Sequence, residues 1–119
     1  LVQGDGGLQL SIGELSACAE HQIPVIVLVF NDSGYNILRI IQDNVLGHKH
    51  GTELPTVDFV AVAEGMGVDA ERVEGVEQFE PALQRALDRS GPTLLDIDME
   101  LLAPIQLPLP AHQRSRDVD

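Results

Sequence analysis

Apolar residues run unbroken from Val25 to Phe30, and most of them are β-branched. That pattern predicts a strand buried on both faces. Thr93 to Asp98 reads as the last strand, and Leu1 to Gln3 as the end of a first. A short strand fits within Val68 to Val73. Helical spacing appears elsewhere. Ser11-Ile12-Gly13-Glu14 has the form of a capping box, and Ile12, Leu15 and Ala19 then share one helical face. Pro24 closes this helix and extends the chain. Tyr35 to Asp43 predicts a helix with Ile37, Leu38, Ile40 and Ile41 apolar. Val57 to Gly67 predicts another, capped by Thr56 or Asp58 and stopped by Gly65 and Gly67. Gln78 to Arg89 is amphipathic, with Phe79, Leu83, Ala86 and Leu87 inward, and Ser90-Gly91-Pro92 breaks it.

Strands and helices therefore alternate, which predicts an α/β domain with a mainly parallel sheet and helices on both faces. Two turns interrupt the pattern where such sheets bind ligands, beyond the carboxyl ends of strands. Gly4 to Gly7 follows the first strand, and Asn31 to Gly34 follows the second. The polar stretch from Asn44 to Thr56 is long for a connection and contains Gly47, Gly51 and Pro55. It is expected to be mobile without a ligand and to order over the site with one. Ala103 to Asp119 holds three prolines and a polar end, and reads as a tail.

Asp5 and Asp32 lie in the two turns. The helix and strand between them would bring neighbouring strand ends together. Two carboxylates cannot hold a phosphate directly, but they can hold a divalent cation that does. A few hard oxygen ligands suit Mg²⁺, with phosphate oxygens and water completing an octahedron. Gly4, Gly6 and Gly7 let the backbone approach closely, and their amides can donate to phosphate oxygens. His48 and His50 are two apart in a polar loop, the pattern of solvated side chains rather than of a metal site.

The 119 residues make one domain at most, and 19 acids against 7 bases give a formal net charge of −12. Such a surface repels nucleic acid and anionic membranes. The longest apolar run, residues 25–30, is too short to span a bilayer. A cytoplasmic metabolic protein fits these features. Cys18 is the single cysteine, so no internal disulfide forms, and a buried, inert thiol is expected.

Gly4-Asp5-Gly6-Gly7 paired with Asn31-Asp32-Ser33-Gly34-Tyr35 resembles the cofactor motif of thiamine diphosphate-dependent enzymes. The likeness is to the acetolactate synthase, benzoylformate decarboxylase and pyruvate decarboxylase superfamily. Leu8-Gln9-Leu10, Glu14-Leu15 and Ile23-Pro24-Val25 extend it, over roughly residues 1–102. The resemblance implies the C-terminal part of a thiamine diphosphate-binding domain, with the tail at 103–119, in an enzyme whose other domains lie upstream. It implies Asp5, Asp32 and the Gly34 carbonyl as Mg²⁺ ligands, and Gly6 and Gly7 as diphosphate contacts. Asn31 would support the turn, Tyr35 completes the motif, and Ile37 falls near the thiazolium.

No catalytic residue is expected in this stretch. Leu38 stands where pyruvate decarboxylase-like members carry a glutamate. The glutamate that activates the cofactor belongs, in the family, to a neighbouring subunit. A homodimer or homotetramer is therefore implied, acting on a small 2-oxo acid by carboligation or decarboxylation. The alternative is a non-catalytic α/β module that keeps the fold for assembly. A nucleotide binder fits less well, because no Gly-x-Gly-x-x-Gly or P-loop Lys-Ser/Thr is present.

Overall fold

Four parallel strands form the sheet in the order β1-β2-β4-β3 in the computed structural model, which describes residues 1–99. The strands are β1 (Val2–Gly4), β2 (Ile26–Asn31), β3 (Asp69–Val73) and β4 (Thr93–Asp98). The helices are α1 (Asp5–Gln9), α2 (Glu14–Glu20), α3 (Asn36–Leu46), α4 (Phe59–Gly65) and α5 (Val76–Leu87). The tail expected from Ala103 lies outside the described residues.

Helices cover both faces because the chain reverses direction across the sheet. The steps β1 to β2 and β2 to β3 run the same way. They put Leu8 of α1, Leu15 of α2, and Phe59 and Ala63 of α4 into one core with Val27, Val29 and Leu94. The step from β3 to β4 runs back. Parallel crossovers keep one hand, so reversal flips the face. Ala82 and Ala86 of α5 accordingly meet Val73, Leu95 and Ile97 on the other side.

β4 is central, with Thr93 to Ile97 buried. Along β2 burial alternates instead: Val27 and Val29 are fully buried, while Ile26, Leu28 and Phe30 are half-buried. One helix, α5, covers that second face, which is why the expected two-sided burial of this strand is incomplete.

Several local readings shift. Gly4–Gly7 is not a plain turn, because Asp5 to Gln9 is helical. Burial of Leu8 in the first core outweighs the poor helix propensity of Gly6 and Gly7. The capping box does not form. Residues 7–16 wind through successive tight turns, in which the Glu14 amide donates to the Ser11 carbonyl at 3.0 Å. Helix α2 therefore starts at Glu14, with no side-chain cap.

Helix α3 runs through Leu46 and stops at Gly47, whose φ of 67° is the left-handed cap that glycine supplies cheaply. Helix α5 starts earlier than expected, at Val76. Its inward stripe is Phe79, Ala82, Leu83 and Ala86, spaced i, i+3, i+4 and i+7, so Leu87 falls off the stripe and is 61% exposed. Cys18 is half-buried rather than buried.

Asp58, not Thr56, caps α4: its Oδ1 accepts from the Ala61 amide at 3.0 Å. Asp58→Ala is expected to cost about 1 kcal/mol. Urea unfolding should read this as a lower midpoint at unchanged slope, and an unchanged midpoint would deny the cap its role.

Candidate functional site

β1 and β2 are neighbours with Gly4 opposite Phe30, so the turns that follow them meet at one edge of the sheet. A cavity of about 390 Å³ opens there. Gly4, Asp5, Gly6, Gly7, Asp32, Gly34, Tyr35 and Ile37 line it, whereas Asn31, grouped with them in the sequence, is not in its wall. Phe30, Asn36, Ile40 and Met99 complete the wall. Leu38 does not line it and faces outward, 46% exposed. His48 and His50 are exposed.

Asp5 is 3% exposed, and its Oδ2 accepts from the Gly34 amide at 2.9 Å. Among the described residues no Lys or Arg pairs with it. A buried carboxylate without a cation is costly. Its charge is felt at Asp32, whose pKa is raised by partial burial first and by Asp5 second. Arg39, the Gly34 amide and the Asn36 side chain oppose that rise. Arg39 Nη2 donates to the Asp32 carbonyl at 2.7 Å and to Oδ1 at 3.2 Å. Two carboxylates thus face one groove, and a divalent cation between them would relieve both burial and repulsion. No group of three or more His, Cys, Asp or Glu forms a metal cluster among the described residues. A protein site here offers few ligands and leaves the remainder to phosphate and water, the pattern of Mg²⁺.

Asn31 ends β2 and its side chain closes the second turn. Its Oδ1 accepts from the Ser33 amide at 3.2 Å, the form of an Asx-turn. Ser33 takes φ of 56°, a left-handed conformation rare outside glycine. The stretch after α3 is tied to the second turn at its far end. Tyr35 N donates to Thr52 O at 2.9 Å, Leu54 N to Ser33 O at 3.1 Å, and Thr52 is buried. The segment thus stitches its own chain against the second turn. Space is short here. A Cβ on Gly6 would lie 2.5 Å from the Tyr35 ring.

The sequence reading missed Arg39, Thr52 and Asp96. Asp96 could have been flagged as a carboxylate inside the apolar run Thr93 to Ile97. Arg39 could have been flagged as the lone base of its helix, set among Ile37, Leu38, Ile40 and Ile41, although nothing local pairs it with Asp32.

Fold and site together define an α/β domain that gathers two carboxylates and a glycine-rich turn at one sheet edge, as a metal–phosphate binder does. The comparisons narrow the class. The thiamine pyrophosphate enzyme, C-terminal TPP-binding domain family matches residues 1–97, and the chain belongs to it.

A catabolic acetolactate synthase of Raoultella terrigena is 32% identical over 99 residues, which are 83% of this chain and 18% of that protein. A benzoylformate decarboxylase of Pseudomonas aeruginosa is 28% identical over 102 residues, 85% of this chain and 19% of that one. Among solved structures, the thiamine diphosphate-dependent 4-hydroxybenzoylformate decarboxylase of Rhodococcus jostii RHA1 superposes with a TM-score of 0.77 at 34% identity. That match covers 82% of this chain and 19% of the decarboxylase. The chain spans about a fifth of the length of these relatives. No helix among the described residues is long and apolar enough to cross a membrane.

Proposed function

We propose that this chain forms the diphosphate- and metal-binding part of an enzyme that acts on 2-oxo acids with thiamine diphosphate and Mg²⁺. The observation that carries the reading is the buried Asp5 carboxylate, with no Lys or Arg paired to it among the described residues, in the wall of the same groove as Asp32. Asp5 and Asp32 would be metal ligands, with the carbonyl of Gly34 as a third. Gly4, Gly6 and Gly7 would bring amides to the diphosphate. Asn31 would hold the turn. Tyr35 and Ile37 would form the wall beside the organic part of the cofactor. Thiamine diphosphate, when bound, supplies the nucleophilic carbon and the electron sink of 2-oxo acid chemistry. This chain's residues hold and orient. The carboxylates would balance the metal, and Phe30, Ile37 and Ile40 give the groove an apolar side.

Both outcomes named among the relatives, acetolactate formation and 2-oxo acid decarboxylation, fit this part of the site. A cytoplasmic setting belongs to the same proposal. So does assembly into a dimer or tetramer. Helix α3 has no buried residue, and Ile37, Leu38, Ile41, Val45 and Leu46 on it are all exposed. An apolar surface of that extent suits burial against another subunit or segment.

Calorimetry on the intact protein tests the reading. Thiamine diphosphate should bind saturably with Mg²⁺ and lose that binding in chelator. Absent or metal-independent binding would overturn it. Ile41→Glu, which does not face the cavity, should shift sedimentation toward smaller species, and an unchanged profile would remove α3 from the interface.

A further inference from the structure

The structure assigns Asp96 and Arg72, two residues outside the cavity, as positioning residues for the turn that carries Asp32 and Gly34. The assignment rests on the cofactor reading above. It starts from Asp96, which sits in the central strand with essentially no exposure. A carboxylate there needs partners on both oxygens, and it has them. Oδ2 accepts from Arg72 Nη1 on the neighbouring strand β3 at 2.8 Å. Oδ1 accepts from Asn31 Nδ2 at 3.0 Å. Arg72 is itself held by Asp98, whose Oδ2 accepts from Nη2 at 2.9 Å.

The chemistry of Asn31 makes this a relay. Its amide has a donor end and an acceptor end. A carboxylate can take only the donor, so Asp96 fixes which end points into the sheet. The acceptor end is thereby committed to the Ser33 amide. That bond supports Ser33 in its left-handed conformation, which is strained for a residue with a Cβ. Ser33 lies between Asp32 and Gly34, so its backbone sets the direction of both. The Asp5–Gly34 bond holds the turn from the β1 side, and the Asp96–Asn31 bond holds it from the β4 side. The relay thus runs from the edge strand through the sheet centre to the groove. None of its first two members touches the cavity wall.

The relay separates from a plain structural ion pair by what each substitution leaves behind. Asp96→Asn together with Arg72→Met keeps an oxygen that Asn31 can donate to and removes the guanidinium that would compete for it. Asp96→Val removes the acceptor and frees the Asn31 amide to turn. Where the single Val variant fails to fold, the double change Asp96→Leu with Arg72→Met removes both charges together, a replacement that buried ion pairs often tolerate.

The readout is Mn²⁺ binding to the intact protein at saturating thiamine diphosphate, followed by electron paramagnetic resonance, beside the melting temperature of the metal-free protein. Partners of metal ligands are typically worth about 10–100-fold in metal affinity. Asp96→Val, or the double variant, should lose affinity in that range with turnover at saturating metal largely kept. Asp96→Asn together with Arg72→Met should stay within about threefold of the parent on the same scale. Equal affinity in the parent and the variant lacking the acceptor would overturn the relay alone. A parent that shows no metal-dependent cofactor binding would overturn the cofactor reading, and the relay with it.

Discussion

Asp5→Asn is expected to abolish Mg²⁺-dependent binding of thiamine diphosphate while leaving the domain folded. The two effects separate because Asp5 has two jobs. Its Oδ2 accepts from the Gly34 amide, a bond that an asparagine oxygen can also accept. The charge is the part that cannot be replaced. Mg²⁺ is a hard cation that keeps several waters and depends on one or two carboxylates, so losing the buried one removes half the protein's charge at the metal.

The loss should exceed the roughly 10–100-fold typical of residues that merely support a ligand. Removing the charge also ends the repulsion felt by Asp32, so the metal-free protein should be no less stable than the parent. Asp5→Leu should behave differently. It would leave the buried Gly34 amide without an acceptor, at about 1–3 kcal/mol. A metal titration and a urea melt on both variants would read the contrast. Retained metal affinity in Asp5→Asn would remove Asp5 from the ligand set.

Much of this was legible along the chain because the strongest signals were local. The strand at Thr93 to Asp98 stands where the sequence placed it, directly after the Ser90-Gly91-Pro92 break that ends the preceding helix. The two turns share an edge because one strand-to-strand step joins them. What was not legible depends on tertiary contact. Gly6 and Gly7 are helical because Leu8, next to them, fills the core, and no propensity rule contains that burial.

The Asn44–Thr56 stretch looked loose because its residues are polar. Its ties to the second turn run through backbone groups, Thr52 O and Leu54 N, whose partners lie nearly 20 residues back. Composition carries no trace of backbone pairing. The same limit hid Arg72. Its pairing with Asp96 spans β3 and β4 and follows from register, which sets Arg72 opposite Asp96.

Gly34→Ala is expected to disturb the site as strongly as any neutral substitution in the chain. Space is the reason. A Cβ at this position would lie 2.6 Å from the Thr52 carbonyl oxygen and closer still to the Arg39 guanidinium. The side chain could swing away. The carbonyl cannot do so cheaply, because it accepts from the Tyr35 amide, and the Leu54 amide ties the same segment to Ser33. Relief therefore means opening the stitch between the second turn and the segment after α3. Overpacking of this kind costs about 1–3 kcal/mol, and a lost backbone bond about 1 more.

The functional loss should be larger than the stability loss. Withdrawal of Arg39 would free the Asp32 carbonyl and carboxylate that it now holds, and a shift of Gly34 would release Asp5. Both carboxylates would lose their orientation in one change. Gly65→Ala is the control. It lies in α4 with nothing within 4 Å of the added carbon, and alanine there should be neutral or stabilising by about 0.5–1 kcal/mol. Urea midpoints and metal titrations on the two variants should diverge. If Gly34→Ala matches Gly65→Ala in both, the turn is roomier and more pliable than its contacts require.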